Sequence, residues 1–116
     1  MLNFKKNKRK LIIAEIGQGH RNSLKEAKKL IDLTASAGAD IIKFQTHYAE
    51  AESTYDEKFR KGFKFKHKTR FDYWKSCEFT KNEWRELKTY SNKKKLIFTS
   101  SPFSEKAFFI LKSIGV

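Results

Sequence analysis

Three short stretches carry side chains able to do chemistry: AEIGQGH with Glu15, IIKFQT with Lys43 and Gln45, and FTSSPF with Thr99, Ser100 and Ser101. An ammonium accompanied by hydroxyls and an amide can hold a phosphate or carboxylate, with the lysine acting as a point charge. A carboxylate beside them can move a proton or hold a water. Each stretch belongs to an apolar run rich in β-branched and aromatic residues, the composition of a buried strand. Side chains alternate across a strand, so Lys43 and Gln45 share one face with Ile41, while Ile42 and Phe44 share the other. Glu15 falls on the face of Leu11 and Ile13. On one strand alone, such polar residues describe a solvated face. Three strands ending alike point instead to a pocket, with Ser100 and Gln45 lining it.

The elements that must position these residues can be read from caps and spacing. The run 11–17 reads as a first strand, 41–45 as a second and 96–100 as a third. Ser23-Leu24-Lys25-Glu26 and Thr80-Lys81-Asn82-Glu83 match the capping box that opens a helix, and Ser104 caps a third helix. Ala27, Leu30, Ile31 and Thr34 follow helical spacing, and Gly38 and Gly115 supply stops. The order is β-α-β-α-β-α, which implies parallel strands covered by helices. Strands two and three lie about 55 residues apart, so the link after strand two is a long βα loop, Lys/Phe-rich at about 51–70. Such loops stand at the C-terminal edge of a parallel sheet, where α/β enzymes build their sites.

Composition narrows the function classes. The 116 residues allow one domain, 39% hydrophobic, preceded by a basic leader at 1–10. No apolar run approaches the roughly 20 residues that cross a bilayer, and the leader lacks the apolar stretch of a signal peptide. A single cysteine, Cys77, leaves no intrachain disulfide and fits a reducing compartment, so the cytoplasm is the expected location. Cys77 has no histidine or cysteine at metal or triad spacing and reads as a neutral, buried thiol. His47 and His67 stand in loop sequence and read as solvated. The net charge of +13 is concentrated at 5–10 and 58–70, the second patch interleaved with Phe59, Phe63, Phe65 and Phe71. That pattern keeps open a basic, non-enzymatic polyanion-binding module. No nucleic-acid motif accompanies the charge, which argues against specific nucleic-acid binding. No Gly-rich phosphate loop supports a flavodoxin-like protein.

The segments IAEIGQGH, AKKLIDLTASAGADIIKFQT, EFTKNEWRELKTYSNKKKLIFTSSPF and FILKSIGV resemble the N-terminal part of the N-acetylneuraminate (sialic acid) synthase family. The resemblance covers about 11–50 and 71–116. It implies a TIM (β/α)8 barrel that condenses phosphoenolpyruvate with an N-acylated amino sugar, N-acetylmannosamine or an analogue, to a nonulosonic acid plus phosphate. Residues 11–116 would then be the first three βα units of an incomplete barrel, since a whole one needs about 250 residues. A fragment or truncated gene product, inactive alone, is the expectation. By the same resemblance Lys43 matches a lysine that contacts phosphoenolpyruvate, and Ser101 stands where the family usually has threonine before proline, another contact to that substrate. Glu15 matches an acid proposed to handle protons or to hold the reacting water and sugar, and Gln45 lines the same pocket. The family's G-x-N-H-x-G loop reads here Gly17-Gln18-Gly19-His20-Arg21-Asn22, with glycine in place of the asparagine. A divalent metal, Mn²⁺ or Mg²⁺, is implied, with ligands on later strands and none in this chain; His20 is not assigned as one. The full-length family allows a homodimer.

Overall fold

A computed structural model describes residues 10–60 and 66–116. All of the basic leader except Lys10, and Lys61, Phe63, Lys64 and Phe65 of the Lys/Phe loop, lie outside the described residues.

The strands are β1 (Ile13–Gly17), β2 (Ile41–Thr46) and β3 (Ile97–Pro102), hydrogen-bonded in the order β1-β2-β3, every pair parallel. The helices are α1 (Leu24–Ser36), α2 (Arg70–Lys75), α3 (Lys81–Lys93) and α4 (Glu105–Ser113). The strands therefore match the order read from the sequence, with β1 starting two residues later than read, β2 running one residue further and β3 displaced toward its C-terminal end.

Each long helix begins where a hydroxyl can take an orphan backbone N–H. Ser23 accepts from Glu26 N, Thr80 from Glu83 N and Ser104 from Ala107 N. Of the two expected capping boxes, the one at Thr80 closes on both sides, with the Glu83 carboxylate returning to Thr80 N at 2.7 Å. At Ser23 the carboxylate of Glu26 accepts instead from Lys29 Nζ, 2.8 Å away, one turn along the helix. At the end of α4, Lys88 of α3 donates to the carbonyls of Ile114 and Gly115 at 2.7 and 2.9 Å, a cation on the negative end of the helix.

The helices cover one face of the sheet. Ile42, Phe44 and Phe98 turn to that face and pack with Ala27 and Ile31 of α1 and Trp84 and Leu87 of α3. Burial of aliphatic and aromatic side chains of this size contributes about 1.5–3 kcal/mol each, so this cluster holds the sheet and helices together. The opposite face carries Ile13 and Ile97, 52% and 37% exposed, together with the polar strand residues.

The long loop after β2 is more ordered than a bare connection. A 3₁₀ turn at Ala49–Ala51 is tied down by Glu78, whose Oε1 accepts from Ala49 N, and by the Tyr48 hydroxyl donating to Phe79 O. Thr69 caps α2 by accepting from Asp72 N. Glu57 accepts from both Arg70 and Ser53, closing the loop on itself.

Candidate functional site

The parallel register lays the chemistry-bearing residues side by side. Glu15 pairs with Lys43, and Lys43 with Thr99; one step further along, Gln45 pairs with Ser101. All five stand on the face that the helices leave open, Glu15, Lys43 and Thr99 at mid-strand and Gln45 and Ser101 one side-chain step nearer the C-terminal edge. Lys43 Nζ reaches Glu15 Oε1 at 2.6 Å, with the two side chains 34% and 60% exposed. An ion pair that wet contributes little to stability, so its residue types are not explained by holding the sheet together. Thr99, one of the strand-end hydroxyls marked in the sequence, joins this row as the register partner of Lys43.

Beyond Glu15 the register slips, and Gly17 takes the position opposite Phe44 with φ at 55°. That left-handed bulge favours glycine. A Cβ there would stand 3.9 Å from the Gln45 side chain, an ordinary contact, so it is the backbone conformation and not space that favours glycine. Gln18 follows and donates Nε2 to the Gln45 carbonyl at 3.3 Å.

Two expectations are corrected. Ser100 does not line the open face: it sits opposite Phe44 in register, is 8% exposed, and shares a 2.7 Å hydrogen bond with the buried Thr46 hydroxyl. The reason is the two-residue period, which sends Thr99 and Ser101 one way and Phe98 and Ser100 the other. His47 is not solvated. It is 3% exposed, stacked between Trp74 (centroids 3.8 Å apart, 9° between planes) and Phe103 (4.2 Å, 20°), with Nδ1 at 2.7 Å from Glu52 Oε2. Burial pushes its pKa down and Glu52 opposes that shift. His67 is also less free than expected, half-buried with Nε2 at 3.3 Å from the Ser76 hydroxyl.

Other sequence-marked residues fall into structural places. Cys77 is buried, and burial raises its thiol pKa, so it is a neutral thiol. His20 is fully buried and stacked on Phe79 at 4.5 Å; its Nδ1 accepts from Asn22 N, and burial lowers its pKa to about 4. Its Nε2 and Gln18 Oε1 are buried without a hydrogen-bond partner. Among the described basic-patch residues, Arg70 is engaged by Glu57, and Phe71 is buried beside Tyr55. A cleft of about 1060 Å³ runs between the β1–α1 loop and the segment 66–77, lined in part by Gln18, Arg21, Lys66 and Tyr73.

The residues present do not fit a metal centre. Glu15 is held by an ammonium, His20 faces an aromatic cluster and His47 is enclosed by two rings. Among the described residues no group of three His, Cys, Asp or Glu side chains could hold a metal ion. No described helix is long and apolar enough to cross a membrane.

Comparison with known proteins now bears on this geometry. The family model described as NeuB family matches residues 30–116. The chain is 35% identical over 109 residues to human N-acetylneuraminate-9-phosphate synthase, a match covering 90% of this chain and 30% of that protein. It is 31% identical over 114 residues to the N,N'-diacetyllegionaminic acid synthase of Campylobacter jejuni, covering 94% of this chain and 34% of that one. A crystal structure of N-acetylneuraminic acid (sialic acid) synthetase from Leptospira borgpetersenii, in complex with citrate, superposes with a TM-score of 0.73 at 37% identity, covering 91% of this chain and 33% of that one. The chain spans about a third of the length of the curated relatives it matches. With the family model matched over residues 30–116, the chain belongs to the NeuB family.

Proposed function

We propose that this chain forms the phosphoenolpyruvate-binding part of a nonulosonic acid synthase, as the first three βα units of a (β/α)8 barrel. The reaction is the condensation of phosphoenolpyruvate with an N-acylated amino sugar, N-acetylmannosamine or an analogue, with release of phosphate. One observation carries the reading: Glu15, Lys43, Gln45 and Ser101 share the open face of a parallel sheet, in a row that runs from mid-strand to the C-terminal edge where such folds bind ligands. The names of the relatives, which include N-acetylneuraminate-9-phosphate and diacetyllegionaminic acid synthases, support the substrate class.

The ion pair has a mechanistic use. Lys43 is neutralised by Glu15 at 2.6 Å, so a carboxylate or phosphate that arrives competes with Glu15 for the ammonium. Taking the ammonium leaves Glu15 exposed and unpaired at the sheet edge. A carboxylate so released can hold the acceptor or a water and take a proton. Ser101 offers a hydroxyl to the same anion, one register step from Lys43. A divalent metal would take its ligands from outside the described residues, and no step here is routed through it.

The test is a pair of substitutions in a complete synthase that contains this chain. Hydrogen bonds to charged groups are worth about 1.5–3 kcal/mol, so Lys43→Ala weakens phosphoenolpyruvate binding roughly ten- to hundred-fold and acceptor binding far less. Glu15→Gln lowers kcat, because the carboxylate's role is exercised in the transition state, and it does not weaken phosphoenolpyruvate binding, since the competitor for the Lys43 ammonium has lost its charge. Unchanged phosphoenolpyruvate affinity in Lys43→Ala overturns the reading.

A further inference from the structure

The buried pair His47–Glu52 has no part in the mechanism above, yet it touches the site through Gln45. Glu52 accepts on both oxygens: Oε2 from His47 Nδ1 at 2.7 Å and Oε1 from Tyr48 N at 2.7 Å. A carboxylate used that way only accepts, so His47 carries a proton on Nδ1. Trp74 and Phe103 clamp the ring from both sides and fix its plane. Its other nitrogen, Nε2, stands 3.5 Å from Gln45 Oε1. Gln45 in turn shares the open face with Lys43 and pairs in register with Ser101.

An amide has a donor end and an acceptor end, and whichever end meets Nε2 leaves the other for the pocket. With Nε2 protonated, His47 donates to the Gln45 oxygen and the NH₂ group is free to meet a ligand. With Nε2 bare, the ring accepts from the NH₂ group and the carbonyl oxygen is turned out. An anion gains a donor in the first state and meets a lone pair in the second. We propose that His47, held by Glu52 and clamped between Trp74 and Phe103, is a positioning residue that sets which end of the Gln45 amide faces the strand-end pocket. The proposal rests on that pocket being the substrate site. Three charged or titratable groups act on the ring. Glu52 favours its cationic form, Arg70 of α2 disfavours it, and His20 of the β1–α1 loop is coupled to it. The stacked neighbours Trp74 and Phe103 are uncharged.

The experiment reads the relay without substrate, by ¹⁵N NMR of the His47 ring and the Gln45 side-chain amide in the full chain, across about pH 5 to 8. The Gln45 NH₂ resonances are expected to move with the His47 midpoint. Glu52→Gln removes the anion that favours the imidazolium, so the His47 midpoint falls and the Gln45 response follows it down. His47→Phe keeps an aromatic ring in the stack; it shifts the Gln45 resonances at any fixed pH and abolishes their pH response. Gln45 resonances that stay put in His47→Phe, or that respond to pH equally in its presence, overturn the proposal. Because no phosphoenolpyruvate is present, this outcome is separate from the Lys43→Ala affinity that judges the substrate reading.

Discussion

Ser100 and Ser101 are chemically identical neighbours that β3 sends to opposite faces of the sheet, and their substitutions separate structure from function. Ser100→Ala leaves the buried Thr46 hydroxyl without its partner, a loss of about 1–3 kcal/mol. Urea denaturation should show it, with phosphoenolpyruvate affinity unchanged. Ser101→Ala should do the reverse. His20 gives a pH signature. Its folded pKa of about 4 lies below the unfolded value of 6.5 because burial penalises the cation. The unfolded chain therefore binds a proton that the folded chain refuses, so stability is whole above 6.5 and is lost as pH falls toward 4. At about 1.4 kcal/mol per unit the loss approaches roughly 3 kcal/mol, and His20→Phe should flatten that part of the urea-midpoint profile. Alternation placed Lys43 with Gln45 and Glu15 with Ile13 within their strands, the parallel order brought those ends to one edge, and alternation applied strictly to Thr99-Ser100-Ser101 also separates Ser100. His47 was not legible that way. Its burial comes from Trp74 and Phe103, which are distant in sequence and leave no local pattern around it.

At the scale of elements, the caps were the most readable feature because a cap is a local bond between residues three apart. Thr80→Ala removes two hydroxyl contacts, to Glu83 N and to the Glu83 carboxylate, and keeps the backbone half of the box, whereas Ser23→Ala removes one hydroxyl contact. Loss of a cap costs about 1 kcal/mol, and Thr80→Ala should cost the more of the two in thermal or urea unfolding. Helix α2 carried the same signal, Thr69 three residues before Asp72, but at six residues it is too short for apolar periodicity to mark it. The loop's other ties, Glu78 to Ala49 and Arg70 to Glu57, join residues well separated in sequence and leave no local pattern. Gly17 was visible as a glycine, though the bulge that requires it appears only when β1 is paired with β2.

At the scale of the whole molecule, one face of the sheet is sealed by helices and the other holds the polar row beside exposed Ile13 and Ile97. A site with walls on one side only binds its ligand through few contacts. The 116-residue chain supplied with phosphoenolpyruvate, amino sugar and Mn²⁺ is therefore expected to form no nonulosonic acid; a product assay that detects one would require a site completed by a second copy. The basic loop offers a competing place for an anion, through Lys66, Lys68 and Arg70, and only binding can separate the two. The most direct measurement is a phosphoenolpyruvate titration of the isotope-labelled chain, followed residue by residue in wild type and in Lys43→Ala. The account predicts shifts concentrated at Lys43, Gln45 and Ser101, absent from Thr46 and Ser100, and lost in the variant. Shifts confined to residues 66–70, or an equal response in Lys43→Ala, would contradict it.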